Sequence, residues 1–336
     1  MTRPLEKLAG FLYRRSSLLY GAVLRARVAA SGFMTRRECA ACVQHSGIPG
    51  VRIGLDGLCG ECREHSAGFD RNAIAHSAEL FFSNAATESR TTDRPGGGPN
   101  VLVMLSGGKD SLAALALTAR RKEARPLALM LDHGFLPEDV RGQAARFCER
   151  LGVELVVRQL DIRSDVARAW RRPGMNPFVC FPCCEAQARE ALSICVKGGI
   201  RRIVTGLRWL WEDTFLPVTS AAFAYRYFRV PARSAIRILN IIPAGGMTER
   251  QELDLLAGHG LKFRHVGGDS TCCELFGLFE AEYRRRFGHY WEGERFLSKE
   301  IRAGVITKTE AREKLRAPEI PPEKEAEILR RAGIRT

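Results

Sequence analysis

Val101-Leu102-Val103-Met104-Leu105-Ser106-Gly107-Gly108-Lys109-Asp110-Ser111, continued by Leu112-Ala113-Ala114-Leu115-Ala116-Leu117, decides the fold. A five-residue apolar run, a paired-glycine turn and a second apolar run of helical composition read as strand, turn and helix. The glycines let backbone N–H groups converge on an anion, the helix start adds the positive end of its dipole, and Lys109 brings a mobile charge. The segment is a phosphate cradle. Its spacing is neither G-x-x-x-x-G-K-[ST] nor G-x-G-x-x-G, so kinase, GTPase and dehydrogenase readings lose their main support.

Outward from this turn, apolar strands alternate with helical stretches, the pattern of an α/β fold with a doubly wound parallel sheet. Strands are expected at residues 101–105, 126–131, 154–158 and 202–205, with helices at 110–122, 137–151 and 184–196. Ligands of such sheets sit beyond the carboxyl ends of the strands. The stretches Asp132-His133-Gly134-Phe135 and Thr205-Gly206 are therefore expected beside the cradle.

Cys39-x-x-Cys42 and Cys59-x-x-Cys62 are separated by sixteen residues with glycines at 47, 50, 54 and 57. Two knuckles of this kind aim four thiolates at one tetrahedral Zn2+, as in a zinc ribbon, and leave no open coordination position. Disulfides are the alternative, disfavoured in the cytoplasmic setting expected for the chain. Cys148 and Cys195 fall on apolar helix faces and read as ordinary buried residues.

The 336 residues carry a net charge of +14 and a pI near 9.6, with 45% hydrophobic and 27% charged side chains. No apolar run approaches the ~18 residues of a membrane span. The basic balance suits a polyanion such as tRNA, although an arginine-rich composition alone gives the same sum. Residues 1–38 hold eight basic side chains against two acidic ones and form a basic, helix-prone extension. That extension could dock on RNA, a partner or an anionic membrane surface. A second copy of the chain, as a homodimer, is a further partner the sequence allows. The aromatic and arginine-rich stretch 209–237 is a candidate substrate contact, since such planes stack on exposed bases.

Ser106-Gly107-Gly108-Lys109-Asp110-Ser111 resembles the PP-loop of the ATP pyrophosphatase superfamily, with its adenine nucleotide alpha-hydrolase-like, Rossmann-like fold. The resemblance implies splitting of ATP into AMP and pyrophosphate, with adenylation of a carbonyl oxygen that nitrogen or sulfur then replaces. It also implies Leu131, Asp132 and Gly206 at the nucleotide and Lys109 with Mg2+ on the phosphates, Asp110 assisting.

Cys180-Phe181-Pro182-Cys183-Cys184, at an expected helix start, and Cys272-Cys273, beyond Gly267-Gly268-Asp269-Ser270-Thr271, look like the three-cysteine pattern of iron–sulfur tRNA thiolation enzymes. By that resemblance Cys180, Cys183 and one of Cys272 and Cys273 would hold a [4Fe–4S] cluster with one iron free for sulfide. The sulfur donor is not legible. A redox disulfide or a second zinc half-site is the alternative for Cys180 and Cys183.

A second resemblance runs from about residue 39 onward. Cys39-x-x-Cys42-Val43, Gly57-x-Cys59-x-x-Cys62, the PP-loop, Asp132-His133-Gly134-Phe135, Cys180-Phe181-Pro182-Cys183 and Ile301-Arg302-Ala303-Gly304-Val305-Ile306-Thr307 with Glu310-Ala311 look like the N-acetyl sugar amidotransferases of lipopolysaccharide biosynthesis. Those enzymes take ammonia from a glutaminase partner, and their substrate here would be a nucleotide sugar. Val204-Thr205-Gly206-Leu207-Arg208-Trp209 is closer to the thiolation enzymes. The expected organisation is an extension (1–38), a zinc ribbon (39–66), a helix and Gly/Pro linker (67–99), an ATP-binding domain (100–275) and a helical C-terminal region (276–336). Sulfur insertion is the reading taken, sugar amidation the alternative, and a non-catalytic RNA-binding protein the third.

Overall fold

The computed structural model describes residues 36–48, 50–68, 70–89, 97–137, 139–171, 180–208, 236–263, 273–287, 291–316 and 320–334. Residues 1–35 of the expected basic extension (1–38) and most of the 209–237 stretch lie outside them. After the ribbon come α1 (Gly60–Gly68) and α2 (Arg71–Ser89), then β1 (Val101–Leu105), α3 (Lys109–Ala119), β2 (Pro126–Asp132), α4 (Val140–Leu151) and β3 (Glu154–Gln159). There follow α5 (Arg163–Arg171), α6 (Cys180–Gly198), β4 (Arg202–Thr205), β5 (Arg237–Asn240), α7 (Ile241–Ala244) and α8 (Glu249–Gly258). Helices α9 (Glu274–Phe287), α10 (Trp291–Ala303), α11 (Lys308–Lys314) and α12 (Pro322–Arg331) complete the described chain.

The five strands are parallel, in the order β3-β2-β1-β4-β5. β1 is central because it is apolar on both faces. Val101, Val103 and Leu105 face a core formed with α3 and α4, while Leu102 faces one formed with Ala191, Leu192 and Cys195 of α6. This alternation requires helices on both sides of the sheet. α3 is rich in alanine, and Leu112 through Ala116 are wholly buried. Helix α2 packs back onto the sheet through Phe81 and Phe82, and the buried Arg202 of β4 donates from Nε to Phe81 O at 2.7 Å.

Four strands fall where the sequence places them, two of them one residue longer. β5 was not expected: Arg237-Ile238-Leu239-Asn240 is short and runs straight into the apolar α7, so no period marks its end. α6 begins at Cys180, earlier than the expected 184, and accommodates Pro182 in its first turn, where a missing N–H costs little.

One close approach ties the two halves of the sheet together. Gly206, immediately after β4, lies on the first turn of α3, and a Cβ there would stand 2.6 Å from Asp110 C, Asp110 O and Ser111 N. These are backbone atoms and cannot rotate away. Gly206→Ala should therefore cost about 1–3 kcal/mol by overpacking. Denaturant unfolding measures this, and wild-type stability in the variant would contradict the contact.

Candidate nucleotide site and metal centre

The turn between β1 and α3 is built around two side-chain choices. Gly107 has φ +83°, and a Cβ there would meet Val140 Cγ1 at 2.2 Å, so both conformation and space require glycine. Ser111 Oγ accepts from Ser106 N at 3.1 Å and Gly107 N at 3.2 Å and donates to Gly108 O at 2.9 Å. The loop is thus held by its own last residue. Gly108 is the N-cap, extended at φ −74° and ψ 161°, and no side chain caps the helix. The first-turn N–H groups and the dipole are left to an anion.

Beneath this turn lies a buried ion cluster that the sequence did not reveal. Lys109 Nζ is 2.8 Å from Asp110 Oδ1 and 3.3 Å from Glu249 Oε1, and Lys314 Nζ reaches the same Glu249 oxygen at 3.1 Å. Arg208, 3% exposed, lies 3.3 Å from Glu249, 3.4 Å from Glu300, 3.6 Å from Asp110 and 3.7 Å from Glu252. Among the described residues none of these guanidinium contacts has hydrogen-bond geometry, so charge holds it rather than directed bonds.

The charges settle one another. Burial opposes ionisation of Lys109, but Asp110 and Glu249 outweigh it and hold the ammonium above its ordinary value. Burial likewise opposes the Glu249 charge, yet Arg208, Lys109 and Lys314 bring it down to about 2. Glu252 goes the other way: burial and the neighbouring Asp110 charge push it up to about 9. At neutral pH Lys109, Arg208, Asp110 and Glu249 are then charged and Glu252 is neutral.

The other expected site residues gather at the same edge. Leu131 is buried at the end of β2, and Asp132 accepts from Gly134 N and from Gln159 Nε2, each at 3.0 Å. His133 is buried against Phe135, and that burial lowers its pKa. Cys183, on α6, and Cys273, just before α9, pack against one apolar cluster that includes Phe135, Leu275 and Phe279. Glu274 N donates to Phe135 O at 3.0 Å, which fastens Cys273 beside the loop after β2. Cys180 opens α6, and Cys272 lies outside the described residues. Cys148 and Cys195 are buried, as expected.

The four thiols of Cys39, Cys42, Cys59 and Cys62 lie within 4.8 Å of one another, all buried. Four thiols at this spacing ionise together only around a cation: hydrogen bonds from Cys59 and Cys62 favour the Cys42 thiolate and push those two thiols up. The all-sulfur set suits Zn2+. Backbone N–H groups of Cys59 and Cys62 donate to Cys39 Sγ and Cys59 Sγ, and Arg302 Nη1 lies 3.9 Å from Cys62 Sγ. The ribbon also grips the C-terminal helices: Lys308 Nζ donates to Cys39 O at 2.6 Å, and Glu38 pairs with Arg312 at 2.7 Å.

The cradle leaves the central strand of a parallel 3-2-1-4-5 sheet, with Gly206 closing on it from the next strand. Among the described residues the chain is a doubly wound parallel α/β fold with a glycine turn after its central strand. No protein-family model matches it. An uncharacterized protein of Methanocaldococcus jannaschii is 24% identical over 242 residues, covering 72% of this chain and 81% of that one. Among solved structures, the U34-tRNA thiolase NcsA of Methanococcus maripaludis, with its [4Fe–4S] cluster, is similar at TM-score 0.34 and 16% identity, over 90% of this chain and 99% of that one. The NH3-dependent NAD synthetase of Campylobacter jejuni gives 0.33 and 15% over 75% and 100%. NMN synthetase of Francisella tularensis gives 0.35 and 12% over 76% and 100%. At such scores these likenesses carry no functional weight.

Two outcomes test the geometry. Glu252 takes up a proton on folding, so its contribution to stability is complete below the unfolded value of 4.5 and is lost as pH rises toward 9. Glu249 acts oppositely, its contribution being present above 4.5 and lost as pH falls toward 2. Glu252→Gln should flatten the fall in unfolding free energy between pH 5 and 9, about the interval those values set; an unchanged slope would contradict the assignment. The full-length chain should also bind about one zinc, lost in Cys42→Ser. A metal-free, folded wild type would refute the ribbon.

Proposed function

We propose that this protein is an ATP pyrophosphatase that adenylates a carbonyl oxygen of its substrate and replaces that oxygen with sulfur, with Cys180, Cys183 and Cys273 as ligands of a [4Fe–4S] cluster. The observation that carries the sulfur reading is the packing of Cys183 and Cys273 on one apolar cluster beside Phe135, at the strand edge that also bears the phosphate cradle. Cys180 precedes Cys183 by three residues in α6. Thiolates are the usual cluster ligands, and three of them leave one iron able to carry sulfide.

In this reading the chain binds and orients. The first turn of α3 receives the phosphates, Lys109 offsets charge that develops on them, and Mg2+ is held on the same phosphates with Asp110 at hand. The substrate oxygen attacks the α-phosphorus, the bond to the bridging oxygen breaks, and pyrophosphate departs. Sulfur then attacks the activated carbon, the C–O bond breaks, and AMP leaves with the former carbonyl oxygen. Leu131, Asp132 and Gly206 flank the nucleotide. The net charge of +14 makes tRNA the favoured substrate class.

One observation favours amidation of an N-acetyl sugar instead. The ribbon and the 301–311 segment, which carry that resemblance, pack together as a unit through Lys308, Arg302 and Arg312. Ammonia from a glutaminase partner would then be the second nucleophile, and the ATP step is the same.

Anaerobic purification with iron, sulfide and zinc analysis separates the two. The sulfur reading requires about four irons per chain, lost in Cys180→Ala. Zinc alone after anaerobic reconstitution would sink it and leave sugar amidation.

A further inference from the structure

The ion cluster carries a further step, which rests on the ATP reading above. We propose that Arg208 is a positioning residue for Lys109: Arg208 holds Glu249, and Glu249 holds the Lys109 ammonium under the phosphate loop.

The two oxygens of Glu249 divide the task. Oε2 is 3.3 Å from Arg208 Nη2, and Oε1 is 3.3 Å from Lys109 Nζ. A carboxylate drawn to a guanidinium charge on one oxygen side leaves the other oxygen facing the ammonium. Without Arg208, Lys314, which donates to the same Oε1 at 3.1 Å, draws Glu249 against Lys109, and Lys109 would keep only Asp110, its neighbour in sequence, to itself.

Arg208 is placed for this by the chain itself. It follows Gly206 by two residues, and the contact of Gly206 with the backbone of Asp110 and Ser111 brings the loop after β4 directly over the start of α3. From there its planar fork meets carboxylates from three helices: Asp110 of α3, Glu249 and Glu252 of α8, and Glu300 of α10. A lysine, a single point charge, could not face all of them at once. Enclosed by carboxylates at 3% exposure, Arg208 acts through them rather than on ATP.

The test uses the full-length protein and calorimetric titration with Mg–ATP and, separately, AMP. Arg208→Met is combined with Glu300→Gln, so that one buried cation and one buried carboxylate leave together and the cluster keeps its balance. Glu249→Gln cuts the same chain at its middle, and Lys109→Met removes its end. Both interruptions should weaken Mg–ATP about tenfold or more, leave AMP affinity unchanged, and add little to the loss already caused by Lys109→Met, because the three groups act as one unit. Wild-type Mg–ATP affinity in both interruptions, with Lys109→Met impaired, would overturn the relay and leave the ATP site standing. Losses that add to that of Lys109→Met, or that fall equally on AMP, would overturn it too, as marks of a merely structural role. A wild type that binds no Mg–ATP would remove the ATP reading and the relay together.

Discussion

The loop after β4 lies on the backbone of the first turn of α3 with nothing between them, and much of the site follows from that contact. A side chain at Gly206 would separate the two by pressing on Asp110 and Ser111. With glycine there, Arg208 enters a space enclosed by Asp110, Glu249, Glu252 and Glu300, and the β1–α3 turn rests on a layer of paired charge. A buried cluster of this kind is weak as a source of stability, because desolvation offsets most of the attraction. Its value is in direction: each charge restricts where its neighbours can point.

The four-cysteine centre belongs to the same construction. Helix α10 meets the ribbon with Glu294, which lies 3.2 Å from Arg36 and 3.3 Å from His45, and with Arg302, which pairs with Glu61 at 2.5 Å. Glu300, on the same helix two residues before Arg302, turns instead into the Arg208 cluster. Residues two apart on a helix point to different sides, so one helix contacts the four-cysteine ribbon with one face and the ion cluster with another. The ribbon is therefore packed into the body of the protein rather than suspended from it.

Features that depend on neighbours in sequence were legible, and features assembled across the chain were not. The β1–α3 turn declares itself because its glycines, lysine and serine are consecutive, and the C-x-x-C pairs because each knuckle is four residues long. Arg208 reads as one arginine among many. Its burial depends on carboxylates 41, 44 and 92 positions later, at Glu249, Glu252 and Glu300, and no local period announces them. The Thr248-x-x-Gln251 capping box does mark the start of α8 and would have placed Glu249 and Glu252 on one helix face. Gly206 drew attention in the sequence, but not for the contact the structure shows. It was expected to make room for a nucleotide, and the backbone of α3 by itself already requires glycine there.

The central claim is that the turn after β1 handles ATP as a pyrophosphatase. The most direct measurement incubates the protein with Mg–ATP labelled on the α-phosphate, together with total tRNA or a small-molecule extract as acceptor, and resolves the products. AMP and pyrophosphate in equal amounts are predicted. Label released as ADP would place cleavage at the terminal phosphate and contradict the account.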